Sequence, residues 1–219
     1  MSKDKLTSTV KDKHGNEWTL TAQEVYESII EDAPFYSNFD SAKHHDALFN
    51  VAGQLQFLEF TELMINSFEF EHEGEVELPE FIGGGTAYKH NQVEHSVYKQ
   101  GVIAVASVAE ALCFMLILVN KAELPKRVKF ETLIDTAKDA GLVDDFDAEL
   151  LHELRKLRNS LHLHGNTYDL ATFTYDNYAT AKACLYWLLL HLLKLDERVM
   201  SIHFPFLPKV GKEELFFEV

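Results

Sequence analysis

Within residues 147–163, His152, Arg155, Arg158, Asn159 and His162 recur at spacings that gather them on one side of an α-helix. Leu150, Leu154, Leu157 and Leu161 form a separate apolar stripe about a third of a turn away. Arg158 and His162 are four apart, so their side chains stand one above the other. An imidazole exchanges protons near neutral pH, and a guanidinium holds two phosphate oxygens while stabilising charge that develops in a transition state. The Asn159 carboxamide could orient the imidazole or bond a ribose. These residue types suit phosphodiester chemistry. The same pattern also suits a plain solvated face, with His162 favoured near a helix C-terminus by the dipole, and spacing alone favours that reading. Arg155, Lys156 and Arg158, with Glu153 the only nearby acid, are expected to make a local positive patch.

This helix is the third of four that the apolar periodicity predicts as a bundle. The first spans about 92–120 and is apolar nearly all round. The second, 129–140, presents Phe130, Leu133, Ile134 and Ala137 and stops at Gly141 in the left-handed capping position. The third covers 147–163. The fourth, 175–195, carries Ala179, Ala183, Tyr186, Trp187, Leu190 and Leu193. Short connections predict mostly antiparallel neighbours. Residues 101–119 approach the length of a bilayer span, but Glu110 lies at their centre, where a charge is costly in lipid. The reading is therefore a helix buried among others, with Glu110 paired to an arginine of the third helix or half-exposed at a groove or dimer seam.

Residues 1–89 read as an N-terminal extension packed on the bundle, and 90–219 as the bundle with a tail. A hairpin is expected over 7–21, turning at His14-Gly15-Asn16. Thr21 and Glu24 have the spacing of a capping box for a short helix through Val25, Ile29 and Ile30 that ends before Pro34. A longer helix over 42–66 would bury Leu48, Val51, Leu55, Leu58 and Leu63. Residues 68–78 alternate apolar and acidic side chains, either as an edge strand pair around Gly74 or as an acidic loop. The run Ile82-Gly83-Gly84-Gly85-Thr86 lacks the Lys-Ser/Thr of a P-loop and the dinucleotide spacing, and reads as a flexible joint. After residue 196 the chain should be irregular, its aromatic Phe204 and Phe206 packing on the bundle or on a partner.

Composition narrows the function. Apolar residues make up 47% and charged residues 25% of the 219, ordinary for a globular chain. The net charge of −15 argues against a broad electrostatic grip on nucleic acid or anionic lipid. Cys113 and Cys184 lie in apolar helical stretches as reduced core thiols. Met1–Lys5 lead into no apolar run, so a cytoplasmic location, with no secretory signal and no membrane span, is expected. His44-His45-Asp46 and the pair His90 and His95 lack the i, i+4 spacing and third ligand of a zinc site, so neither metal nor cofactor is expected. His191, between Leu190 and Leu192, reads as a core histidine, and Trp18 and Trp187 as packing anchors.

The run Leu154-Arg155-Lys156-Leu157-Arg158-Asn159-Ser160-Leu161-His162-Leu163 resembles the signature helix of the HEPN superfamily. Its setting agrees: a long apolar helix with Ser107-Val108-Ala109-Glu110-Ala111, a short helix, the signature helix, then a helix rich in alanine and leucine. The resemblance covers about residues 90–196. It implies a mainly α chain built on a four-helix bundle. Many HEPN proteins are metal-independent endoribonucleases of toxin–antitoxin and phage-defence systems, acting as dimers whose Arg and His motifs meet. The family pattern is Arg, a polar residue, then His after four to six intervening residues. Here Arg158 to His162 leaves three, Arg158 to His164 five, and Arg155 to His162 six. The resemblance thus implies Arg158, Asn159 and His162 as catalytic candidates in a homodimer acting on RNA, supported by Arg155, His164 and Glu110. The alternative is a non-catalytic HEPN-like module binding RNA, a nucleotide or a partner protein. Net acidity and the short spacing favour that alternative, and the local basic face favours the nuclease.

Overall fold

The computed structural model describes residues 7–11, 14–33, 41–67, 75–77, 86–88, 92–120, 128–163 and 174–215, with the backbone alone at 41–44, 75–77, 86–88, 92–94 and 161–163. The chain is mainly helical. Strands β1 (Thr7–Lys11) and β2 (Glu17–Thr21) form the expected antiparallel hairpin, with Val10 opposite Trp18 and Gly15 at φ 87° in the turn. Helices α1 (Gln23–Glu31) and α2 (Ser41–Ser67) follow.

The predicted capping box at Thr21 does not form. Ala22 stands at the N-cap of α1 without a side-chain cap. The Thr21 backbone N–H and hydroxyl instead donate to the Glu59 carboxylate of α2, at 2.9 and 3.2 Å. Tyr26 donates to the same carboxylate at 2.9 Å, and Gln56 donates to Ser8 Oγ and to the Thr21 carbonyl at 2.8 Å. These bonds tie the hairpin to α2, the Glu59 carboxylate accepting from Thr21 and Tyr26 together. Leu48, Val51, Leu55 and Leu58 of α2 are fully buried as expected. Leu63 is half-buried, and with Val10, Trp18, Phe60 and Met64 it lines an apolar cavity of about 250 Å³ beneath the hairpin.

Strand β3 (Glu75–Glu77) pairs antiparallel with β4 (Thr86–Tyr88), Val76 opposite Ala87. Of the 68–78 stretch, read as a strand pair around Gly74 or an acidic loop, only 75–77 is described, and its partner strand is Thr86-Ala87-Tyr88, beyond the glycine run. Gly74 and Ile82 to Gly85 lie outside the described residues.

The four predicted helices are α3 (Gln92–Val119), α4 (Phe130–Asp139), α5 (Asp145–Leu163) and α6 (Tyr175–Leu192). Gly141 ends α4 in the left-handed region at φ 68°, and Leu142 N–H returns to the Ala137 carbonyl at 2.9 Å. Helix α5 starts at Asp145, before the expected 147, because the Asp144 carboxylate accepts the Asp147 N–H at 2.8 Å and caps the helix. Helix α6 stops at Leu192 short of the expected 195, since Lys194 takes a left-handed φ of 53°. Residues 197–203 are not irregular. They form α7 (Glu197–His203), capped by Asp196, whose carboxylate accepts the Val199 N–H at 2.8 Å. A 3-10 turn, Lys212–Leu215, follows.

Neighbouring helices are not all antiparallel. Tyr98 packs on Tyr175 and Tyr178 with ring centroids 5.7 and 6.3 Å apart, and Gly101 lies directly under the Tyr178 ring, so α3 and α6 run the same way. Gly101 is what permits this approach, since a Cβ there would stand 2.4 Å from the ring. Between α4 and α5 the partners fall in opposite order, Glu131 with Arg155, Asp135 with His152 and Lys138 with Asp145, so this pair is antiparallel.

One core joins the helices: Tyr26 and Ile30 of α1, Leu55 of α2, Val105 and Leu112 of α3, Ile134 of α4, Leu151 of α5, Leu185 of α6, Met200 of α7 and Phe204 after it. Helix α3 is long and apolar enough to cross a bilayer, but 67% of its apolar window is buried against the other helices. The tail aromatics Phe204 and Phe206 are buried in their own chain, Phe204 beside Tyr26 with centroids 5.4 Å apart. Each such large apolar side chain contributes about 1.5–3 kcal/mol on burial.

Candidate functional site on helix α5

Helix α5 presents Leu150, Leu151 and Leu154 to the core, with Leu157 packed at its edge. This fixes the rotation of the helix and sends Arg155, Arg158 and Asn159 to its boundary, all three half-buried. Arg158 pairs with Glu110 of α3, their side chains 24% and 29% exposed. The arginine partner expected for Glu110 is thus Arg158. The guanidinium also lies over the Phe130 ring, 5.4 Å from its centroid, so an ion pair and a cation–π contact hold it from two sides.

Arg155 faces a different carboxylate, that of Glu131 on α4, 3.6 Å away. One turn earlier His152 Nε2 lies 3.6 Å from Asp135. Lys138 bonds Asp145 at 2.9 Å, which holds the Asp145 carboxyl below its ordinary range and the Lys138 ammonium above its own. Lys156 pairs with Glu153 within the helix. The His152 Nδ1 and Arg155 Nε atoms are buried without a hydrogen-bond partner.

The expected positive patch is therefore corrected. Arg155, Lys156 and Arg158 each face a carboxylate, and Glu153 is only one of the three acids involved. The groove of about 630 Å³ between α4 and α5 is lined by the carboxylates of Glu131, Asp135, Asp145, Glu149 and Glu153 against Lys138, Arg155 and Lys156. It is acidic on balance.

His162 lies in the last turn of α5 by its backbone, with its side chain outside the described residues. His164 is also outside them, as are the side chain of His44 and the whole of His90. The structure brings Arg158, Glu110 and Phe130 together, and separately Arg155 and Glu131. Among the described residues, no three His, Cys, Asp or Glu side chains converge as a metal set.

Two further polar clusters escaped the sequence reading. The Lys182 ammonium of α6 is buried against Glu62 of α2 at 2.7 Å, 4.7 Å from the centre of the Tyr178 ring. Burial, reinforced by the Glu62 charge, pushes the Tyr178 hydroxyl well above its usual range. A lysine between alanines in an otherwise apolar helix was the available signal, the same that marked Glu110. The second cluster corrects the reading of His191 as a core residue. Its side chain is 41% exposed and faces the buried Asp147 carboxylate. Trp187 is the anchor expected, and its indole N–H donates to Asp147 at 3.0 Å. The spacing Asp144-x-x-Asp147 at a helix start would have flagged the cap but not the histidine.

The chain matches no family model, no curated protein and no solved structure.

Proposed function

We propose that α3 to α6 form a HEPN-like four-helix module that is non-catalytic and binds a partner protein through the polar face of α5 and the α4–α5 groove. One observation carries this: Arg155, Lys156 and Arg158 are each neutralised by a carboxylate of the same chain. A phosphate reaching Arg158 would have to displace Glu110 and would meet an acidic groove beside it, in a chain of net charge −15. A partner with a basic face meets no such repulsion.

The second reading is a dimeric, metal-independent endoribonuclease of a defence or toxin system. The fixed orientation of Arg158 favours it, since a guanidinium held by Glu110 and Phe130, four residues before His162, would be pre-organised for a transition state. The 2′-hydroxyl of RNA would then be the nucleophile, with His162 or His164 as acid or base.

The assay is purified chain with single-stranded and structured RNA in EDTA, beside Arg158→Ala, His162→Ala and His164→Ala. The non-catalytic reading expects equal residual cleavage in all four and weak RNA retention. Cleavage leaving 2′,3′-cyclic phosphate, reduced ~10²–10⁴-fold in one histidine variant and lost with Arg158→Ala, would install the second reading instead.

A further inference from the structure

Away from that face, the first turn of α5 meets the last turn of α6 at Asp147 and His191. The Asp147 side chain is 6% exposed, and one of its oxygens accepts the Trp187 indole N–H at 3.0 Å. The same oxygen is 3.7 Å from His191 Nδ1, just beyond direct hydrogen-bond range. The imidazole lies on the indole with ring centroids 4.1 Å apart. The His191 side chain is 41% exposed to solvent, while the charge it faces is buried.

Among the described residues, few other charged groups surround the pair. Asp144, which caps α5, adds a second negative charge beside Asp147. Phe146 packs edge-on to Trp187 at 5.7 Å, and the Lys212 ammonium from the C-terminal turn sits 4.2 Å from the centre of its ring. Helix ends reinforce the arrangement, since Asp147 stands at the positive end of α5 and His191 at the negative end of α6.

We infer that Asp147, Trp187 and His191 form a pH-sensitive clamp in which an imidazolium at His191 draws onto the buried carboxylate and fastens the end of α6 to the start of α5. A neutral imidazole leaves the carboxylate with only the indole N–H, and the joint slackens. Burial first, then the Asp144 charge, holds the Asp147 carboxyl above its ordinary range, while Trp187 and His191 pull it back. Protonating Asp147 removes the charge that draws the imidazolium, so the clamp acts where His191 is charged and Asp147 is still ionised.

The chain has two tryptophans, so a Trp18→Phe background leaves Trp187 as the sole indole emitter. Its fluorescence should fall as the pH is lowered through the range in which imidazoles gain a proton, and the amides of residues 193–200 should become more protected from exchange over the same range. His191→Gln should abolish both changes. Asp147→Asn, which keeps an acceptor for the indole, should abolish the gain in amide protection. In the unaltered chain the His191 ring resonances should titrate with the fluorescence midpoint. Flat emission, a His191→Gln chain that titrates like its parent, or a gain in protection that survives Asp147→Asn would each overturn the clamp.

Discussion

Removing the Glu110 carboxylate should cost an amount set by how deeply its pair with Arg158 is enclosed. Breaking a fully buried pair costs about 3–5 kcal/mol, and an exposed pair contributes ~0–1 kcal/mol. Glu110 and Arg158 are 29% and 24% exposed, so their coupling should lie between these limits, at about 1–2 kcal/mol. Glu110→Ala alone should cost somewhat more, about 2 kcal/mol, because Arg158 is left half-buried over Phe130 without a counter-charge. In a chain of this length that lowers Tm by about 4–8 °C. The clean measurement is a double-mutant cycle of Glu110→Ala and Arg158→Ala, read by urea denaturation. A coupling below about 0.5 kcal/mol would mean that the pair does not hold the helices, and that Arg158 is free to bind something else.

Three further outcomes follow from packing and burial. Gly101→Ala would drive a Cβ to 2.4 Å from the Tyr178 ring and should destabilise by about 1–3 kcal/mol, with Tyr178→Leu restoring part of the loss in thermal melts. Lys182→Met leaves Glu62 buried without its partner (side chains 5% and 16% exposed) and should cost ~3–5 kcal/mol, whereas adding Glu62→Leu should recover most of it. Cys113 and Cys184 are both buried, and burial raises both thiols, Cys184 to about 12. A chromogenic disulfide reagent should therefore leave both untouched in the native chain and modify both in guanidinium.

Local chemistry made much of the fold legible. Gly141 stopped α4 where a left-handed residue was needed, Gly15 marked the hairpin, and the spacing of Leu48, Val51, Leu55 and Leu58 set the buried face of α2. Glu110 was legible too, because a carboxylate inside an apolar helix must find a cation. What escaped the sequence was partner choice at long range. Thr21 had a capping partner available three residues away, at Glu24, and bonded Glu59 instead. The basic run of α5 looked unopposed because the carboxylates that face it, Glu131 and Glu110, belong to other helices. His191 followed the leucines around it in sequence, yet the turn of α6 carried it to the surface beside Asp147.

The contact between Tyr26 and Phe204 has a consequence for how the chain reaches its fold. It closes a loop that includes nearly every helix, and ordering so long a loop costs entropy before the contact returns any stabilisation. The hairpin with α1 and α2, and the α4–α5 pair, hold contacts near in sequence and can form early. The Phe204–Tyr26 contact, by contrast, requires both ends of the core to be in place. Phe204→Ala should then accelerate unfolding far more than it slows folding, which makes this ring a latch on the finished structure rather than part of its nucleus.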